Sequence, residues 1–233
     1  SGGIVSTMTE SESHGRPAGE FSAWLRQMRA ALAGEGDADT PCGDCFACCA
    51  TSHFVHIGPD ERECLDGVPA ALRFPAPGLP FGHVVLPYDA AGRCPLLDAA
   101  GRCSIYDRRP RTCRVYDCRV FAAAGMPADC VPITRQSALW EFTYADDRAR
   151  AEHDAVLAAV RFVRDHAACF PGGAVPEDPS QLAVLAVEAA GVFVAGGGGP
   201  GAPGSDAACA EVAAAVVAAA GQHRYGSGGA TGP

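Results

Sequence analysis

Eight consecutive residues constrain this chain more than any others: Cys42-Gly43-Asp44-Cys45-Phe46-Ala47-Cys48-Cys49. Four thiols so close together are costly to keep unliganded where oxygen is present, because accessible thiolates oxidise. Two-residue spacers let the backbone wrap one ion, and Gly43 admits the backbone conformations such a turn needs. Cys48 and Cys49 are adjacent, which restricts both from binding one tetrahedral ion. One of them is expected to serve a second site, to bridge, or to stay free. Cys94, Cys103, Cys113 and Cys118 complete a set of eight, enough for two four-coordinate sites. One partition places Cys42, Cys45, Cys48 and Cys94 on one centre and Cys49, Cys103, Cys113 and Cys118 on the other.

Zinc and iron–sulfur both suit these ligands. Zinc favours paired Cys-x2-Cys with a distant second pair. The triple Cys-x2-Cys-x2-Cys instead matches a run that holds a [4Fe–4S] cluster, and the remote Cys94 is followed by Pro95, as in ferredoxin-type runs. The expected cofactor is therefore an iron–sulfur cluster, [4Fe–4S], with one or two zinc ions as the alternative. Thiolate ligation leaves negative charge on either centre. Arg93, Arg102, Arg108, Arg109, Arg111, Arg114 and Arg119 lie nearby in sequence, and arginine keeps its charge and donates several hydrogen bonds. Arg109 and Arg114 are the candidates for contact with the cofactor. The competing reading is a solvated face, or ion pairs with Asp98, Asp107 and Asp117.

The block Cys42–Cys49, then Cys94-Pro95-Leu96-Leu97-Asp98, then Cys103-Ser104-Ile105-Tyr106-Asp107-Arg108-Arg109-Pro110-Arg111-Thr112-Cys113-Arg114, resembles the CxxCxxCC cysteine-cluster family (YkgJ-like), a zinc- or iron-chelating family. The resemblance covers roughly residues 41–120. It implies eight family cysteines, which map onto the eight named above. Flagellin lysine methylases carry a similar block, linked there to an iron–sulfur cluster and S-adenosylmethionine. This chain matches them no further, and the Cys-x3-Cys-x2-Cys spacing of radical enzymes is absent.

Composition removes several function classes. The 18 basic residues are all Arg, so no lysine nucleophile, Schiff base or P-loop lysine is available. A formal net charge of -9 argues against a nucleic-acid-binding face. No apolar run is long enough to span a bilayer; the stretch Leu182–Ala195 is too short and contains Glu188. Residues 1–7 precede Met8, read as an added leader, and lack the features of a secretory signal. The expected compartment is the cytoplasm, where clustered cysteines mean metal or redox chemistry more often than disulfides. The expected partner is a protein, such as a redox partner, with no nucleic acid and no membrane.

The pattern predicts an α+β fold, mainly α: an irregular cysteine-rich metal-binding module with short strands, flanked by helices. Residues 1–16 are expected to be disordered, and 17–40 to hold an N-terminal helix over Glu20–Ala33. The module spans 41–130, with strands at Phe54–Ile57 and Val84–Tyr88 and a short helix opening at Pro59. Residues 131–195 complete the domain with a strand inside Ile133–Tyr144 and helices over Asp147–Cys169 and Gln181–Ala195. A Gly/Pro linker covers 196–205, and a helix or tail covers 206–233. A nine-residue repeat stands out: Asp89-Ala90-Ala91-Gly92-Arg93-Cys94 recurs as Asp98-Ala99-Ala100-Gly101-Arg102-Cys103, so each copy delivers a thiol just after a tight turn.

Residues outside the cysteine set have simpler readings. His53 and His56 could ligate, or could alternate with Phe54 and Ile57 in a strand; His83 is expected to be structural. Cys64 and Cys130 read as small buried side chains, as do Cys169 and Cys209. His153, Asp154, Asp165 and His166 read as a solvated helix face. Asp107 is placed to cap a helix starting near Pro110, with Tyr106 packed beside the centre. Three functions follow: a metal-binding protein with a structural or electron-transfer role, a metal-dependent oxidoreductase or group-transfer enzyme with Trp140 and Tyr144 walling its pocket, or a metal-stabilised interaction adaptor.

Overall fold

The computed structural model describes residues 15–194 and 206–224. In chain order these form β1 (Arg16–Glu20), α1 (Phe21–Leu32), β2 (Val55–Ile57), α2 (Arg62–Gly67), β3 (Phe74–Pro75), β4 (Val84–Leu86), α3 (Arg111–Val115), α4 (Arg119–Ala123), α5 (Val131–Ser137), β5 (Trp140–Thr143), α6 (Asp147–Asp165), α7 (Pro179–Val194) and α8 (Asp206–Arg224). The fold is α+β and mainly helical. Of the segment 1–16 expected to be disordered, residues 1–14 lie outside the described residues and Arg16 opens β1; the linker expected at 196–205 and residues 225–233 of the last segment also lie outside them.

Phe21, Trp24, Leu25 and Met28 recur at helical spacing and form the buried face of α1. They join a core made by α4, α6, α7 and α8, with Val156, Val160, Val163, Val187 and Val216 among its buried members. Glu20 caps α1 by accepting from the backbone N–H groups of Ser22 and Ala23, and Asp146 caps α6 by accepting from Ala149. A second, smaller core lies under the cysteine module. It consists of Ile57, Cys64, Val68, Leu86, Leu96 and Ile105, beneath the antiparallel sheet β2-β4-β3.

Several expectations change. Residues 17–40 do not begin with a helix: β1 precedes α1 and pairs in parallel with β5, across a register break at Gly19, where φ is +98°. That pairing joins residues more than a hundred positions apart, which no local pattern can announce. The strand expected within Ile133–Tyr144 is confined to Trp140–Thr143. The first part is helix α5, because Pro132 fits its first turn and Ile133 and Ser137 turn inward. Asp107 caps nothing; the N–H of Arg111, opening α3, donates instead to the Glu61 carboxylate.

Cys169 and Cys209 are not packing residues. They form a disulfide that ties the turn after α6 to α8 across 40 residues. Helical Ala/Val context disguised them, since a cysteine in such a stretch looks like one more small side chain.

His153 is not on a solvated face. Its ring stacks on Phe21 at 4.3 Å, its Nε2 donates to the Ala123 carbonyl, and its Nδ1 accepts from the Tyr144 hydroxyl at 2.7 Å. Burial lowers its pKa, against the opposing pull of Ala123 and Asp154. The unfolded chain therefore takes up this proton more readily than the folded one. Stability linked to His153 should be complete above pH about 6.5 and decline as pH falls through the lower folded value. Melting temperatures from pH 7.5 to 5 should fall less steeply in His153→Phe than in the wild type. Equal slopes would count against this role.

Candidate metal centre

The two copies of the nine-residue repeat fold alike. In each, the aspartate carboxylate accepts from the backbone N–H groups two and four residues later: Asp89 from Ala91 and Arg93, Asp98 from Ala100 and Arg102. Gly92 and Gly101 occupy the left-handed region, with φ of +75° and +78°, which side-chain-bearing residues rarely adopt. The turns aim Cys94 and Cys103 back toward the first block. The N–H of Cys94 donates to the carbonyl of Cys49 at 2.7 Å, and Cys103 bridges to Leu97. The two thiols thus reach the site through backbone hydrogen bonds rather than through packing alone.

The first block is anchored from the other side. The Arg16 guanidinium in β1 donates to the carbonyls of Pro41 and Cys42 at 3.0 and 2.9 Å. Cys48 and Cys49 lie in a short 3-10 turn, Ala47–Ala50, with their sulfurs 3.9 Å apart. Cys113 sits in α3, and Cys118 lies at the start of α4. Asp117 and Arg119, which flank Cys118, form a buried ion pair at 2.7 Å. Asp117 also accepts from Trp24 Nε1, while Arg119 donates to the carbonyls of Ala18 and Ala38.

All eight cysteines of the set line one cavity of about 680 Å³. Cys42, Cys45, Cys49, Cys94, Cys103 and Cys113 are half-buried, Cys118 is buried and Cys48 is open to solvent. Among the described residues no three His, Cys, Asp or Glu side chains are drawn together tightly enough to hold an ion as they stand, so ligation requires the thiols to close in.

Desolvation pushes the Cys113 thiol up to about 12, with Cys48, Cys94 and Cys103 adding to the shift. It pushes Cys118 to about 12 as well, against a lowering hydrogen bond from Trp140 Nε1 at 3.1 Å. Cys42 and Cys94 are raised by desolvation first and then by neighbouring thiols, Cys48 and Cys45 for the former, Cys103 and Cys48 for the latter. Cys48 is raised first by its contact with Cys49. The charge of Cys48 thus bears on Cys42, Cys94, Cys113 and Cys118, and also on Cys130 outside the set. Clustered thiols that resist ionisation one by one are suited to a cation, which supplies the charge that lets them ionise together.

The arginines divide. Arg109 lines the cavity, is held by donating to the Tyr106 carbonyl, and lies over the Tyr106 ring at 3.7 Å. Its charge favours the thiolate forms of Cys42, Cys48 and Cys113. Arg114 also lines the cavity, but one guanidinium nitrogen pairs with Asp37 at 3.4 Å while Nε is buried without a partner. Arg102, Arg111 and Arg119 are engaged by Asp98, Asp60 and Asp117.

Trp140 and Tyr144 do not wall the cavity. Trp140 backs onto Cys118 from the core, and Tyr144 is engaged by His153, because parallel pairing with β1 turns β5 toward α1 and α6. His53 lines the cavity but bonds Thr51 and approaches Asp129 at 3.5 Å. His56 and His83 bond each other at 2.9 Å. Cys64 is buried in the small core and Cys130 is half-buried. Sequence reasoning missed Tyr116 and Gln136, which line the cavity with buried polar atoms that make no hydrogen bond among the described residues. Tyr116 lies between Cys113 and Cys118 and was within reach of the motif; Gln136 carried no local signal.

None of the helices among the described residues is long and apolar enough to cross a membrane. Residues 41–131 match the model of the CxxCxxCC family, described as "Putative zinc- or iron-chelating domain". No curated protein and no solved structure matches the chain.

Proposed function

We propose that this chain, whose residues 41–131 match a zinc- or iron-chelating domain, holds a metal centre through Cys42, Cys45, Cys48, Cys49, Cys94, Cys103, Cys113 and Cys118, with a structural or electron-transfer role. The observation that carries this is the convergence of eight thiols, from a loop, two tight turns and two helices, on one cavity. The residues suit the group. The donors are soft sulfur, Arg109 offsets thiolate charge, and buried donors stand unpaired in the wall.

The pattern of neighbours favours a different partition from the one the spacing suggests. Electrostatic influence groups Cys118 with Cys42, and Cys94 with Cys103 and Cys113, with Cys48 acting on both groups. The 3.9 Å between the Cys48 and Cys49 sulfurs is close to the edge of a tetrahedral zinc–thiolate site, about 3.8 Å for 2.3 Å bonds, so adjacency does not bar the pair from sharing an ion. The Cys-x2-Cys-x2-Cys run favours [4Fe–4S] over zinc. The eight unpaired thiols of the set fit a reducing compartment such as the cytoplasm, whereas the Cys169–Cys209 disulfide fits an oxidising one; the partner in an electron-transfer role is another protein.

A second reading, a metal-dependent enzyme, is favoured by the size of the cavity, which lies within the range of about 300–1,000 Å³ typical of small-ligand sites.

Anaerobic purification followed by metal and acid-labile sulfide analysis tests the reading. The expected product is brown, with iron and sulfide in equal amounts. Stoichiometric zinc without sulfide rejects the cluster but keeps the metal centre; neither metal rejects both.

A further inference from the structure

Tyr116 Oη and Gln136 Nε2 are buried and make no hydrogen bond among the described residues, yet both side chains line the thiol cavity. Neither is there by accident of a loose loop. The Tyr116 carbonyl is held by Thr40 Oγ1 at 3.2 Å, and Gln136 lies in α5 between the buried Ile133 and Ser137. Tyr116 stands three residues after Cys113 and two before Cys118, and α5, which carries Gln136, packs against the turn that carries Cys48 and Cys49.

Burying a hydroxyl or an amide without a partner forfeits its hydration with nothing in return, so such groups call for an explanation. Both groups are hydrogen-bond donors. A neutral thiol is a weak acceptor, whereas a metal-bound thiolate carries charge and accepts strongly. Donors aimed among thiols therefore gain their partner when a metal turns those thiols into thiolates.

We propose that Tyr116 and Gln136 are positioning residues of the metal centre, donating hydrogen bonds from the phenol and the side-chain amide to metal-bound cysteine sulfur. The inference rests on the metal-binding reading above. Groups that orient and polarise metal ligands commonly set affinity by a factor of about 10–100 when removed. Tyr116 and Gln136 would then fix the electron density on the sulfurs, and with it the affinity and the redox behaviour of the centre. Arg114 Nε is a third buried donor, but its guanidinium is already engaged by Asp37.

The test uses the full chain stripped of metal under reductant and titrated with cobalt(II), comparing wild type, Tyr116→Phe, Gln136→Leu and the double variant. Tyr116→Phe should weaken cobalt binding about tenfold in competition with a chelator. The sulfur-to-cobalt charge-transfer bands should move to lower energy, because a sulfur that loses a hydrogen bond is richer in electrons. The metal-free Tyr116→Phe variant should melt no lower than the wild type, since an unpaired buried hydroxyl has been removed. A structural role would predict the opposite: lower melting without metal and unshifted bands. Wild-type affinity and unshifted bands in the single and double variants overturn the proposal. A wild-type chain that binds no cobalt overturns the metal-binding reading as well, so the two failures are distinct.

Discussion

Cys48→Ser is expected to lose most of the bound metal and to accumulate as aggregate. Cys49 lies 3.9 Å from the Cys48 sulfur, and the charge of Cys48 acts on the thiols of Cys42, Cys94, Cys113 and Cys118. On the partition favoured here it stands between the two halves of the site, so its loss weakens both. The module has little else to hold it. Its strands are two or three residues long, and its core is six buried side chains. Structural zinc in small peptides supplies about 10–16 kcal/mol of apparent binding free energy that is also folding free energy. Cys64→Ser provides the contrast. Cys64 is buried in the small core and lines no part of the cavity, so that variant should melt lower while keeping its metal per folded molecule. Metal content and soluble yield, measured for both variants side by side, decide the matter. Full loading in Cys48→Ser would remove Cys48 from the ligand set.

Arg119→Met should destabilise the chain by about 3–5 kcal/mol, because it leaves the Asp117 carboxylate buried and without its counter-charge. Asp117 and Arg119 are 2 % and 5 % exposed. The guanidinium holds that carboxylate and also the carbonyls of Ala18 in β1 and Ala38 in the segment leading to the first cysteine block. One substitution thus frees two backbone acceptors and a charge, and loosens β1 from α4. For a chain of this size the melting temperature should fall on the order of 10 °C. Replacing both members, Asp117→Leu with Arg119→Met, should recover much of that loss, since the stranded charge is gone. Cys118 lies between the two residues, so the single variant should also bind metal more weakly. A melting temperature within about 2 °C of the wild type would show that the pair contributes little.

The cysteine block, the repeat and the long helices α1, α6 and α7 were legible in the sequence because each is written locally. Two-residue thiol spacings, Asp and Gly at fixed offsets in a turn, and apolar residues three and four apart depend only on near neighbours. What was hidden depends on distant residues. The parallel pairing of β1 with β5 is one case. It moved Trp140 from an imagined pocket wall to a hydrogen bond behind Cys118, and set Tyr144 against His153. The Cys169–Cys209 disulfide is another, since two cysteines in Ala-rich stretches give no sign of facing each other across 40 residues.

Residue identity and spacing set which chemistry is available: soft sulfur donors in the spacing of the CxxCxxCC family model, no lysine, and a mainly helical frame. Packing, by contrast, settles which segments meet around the thiols. The meeting of Cys49 with Cys94, and the place of Gln136 in the wall of the thiol cavity, come from how helices and turns pack. Packing is the sum of many weak contacts between residues far apart in the chain, and no short window of sequence contains it.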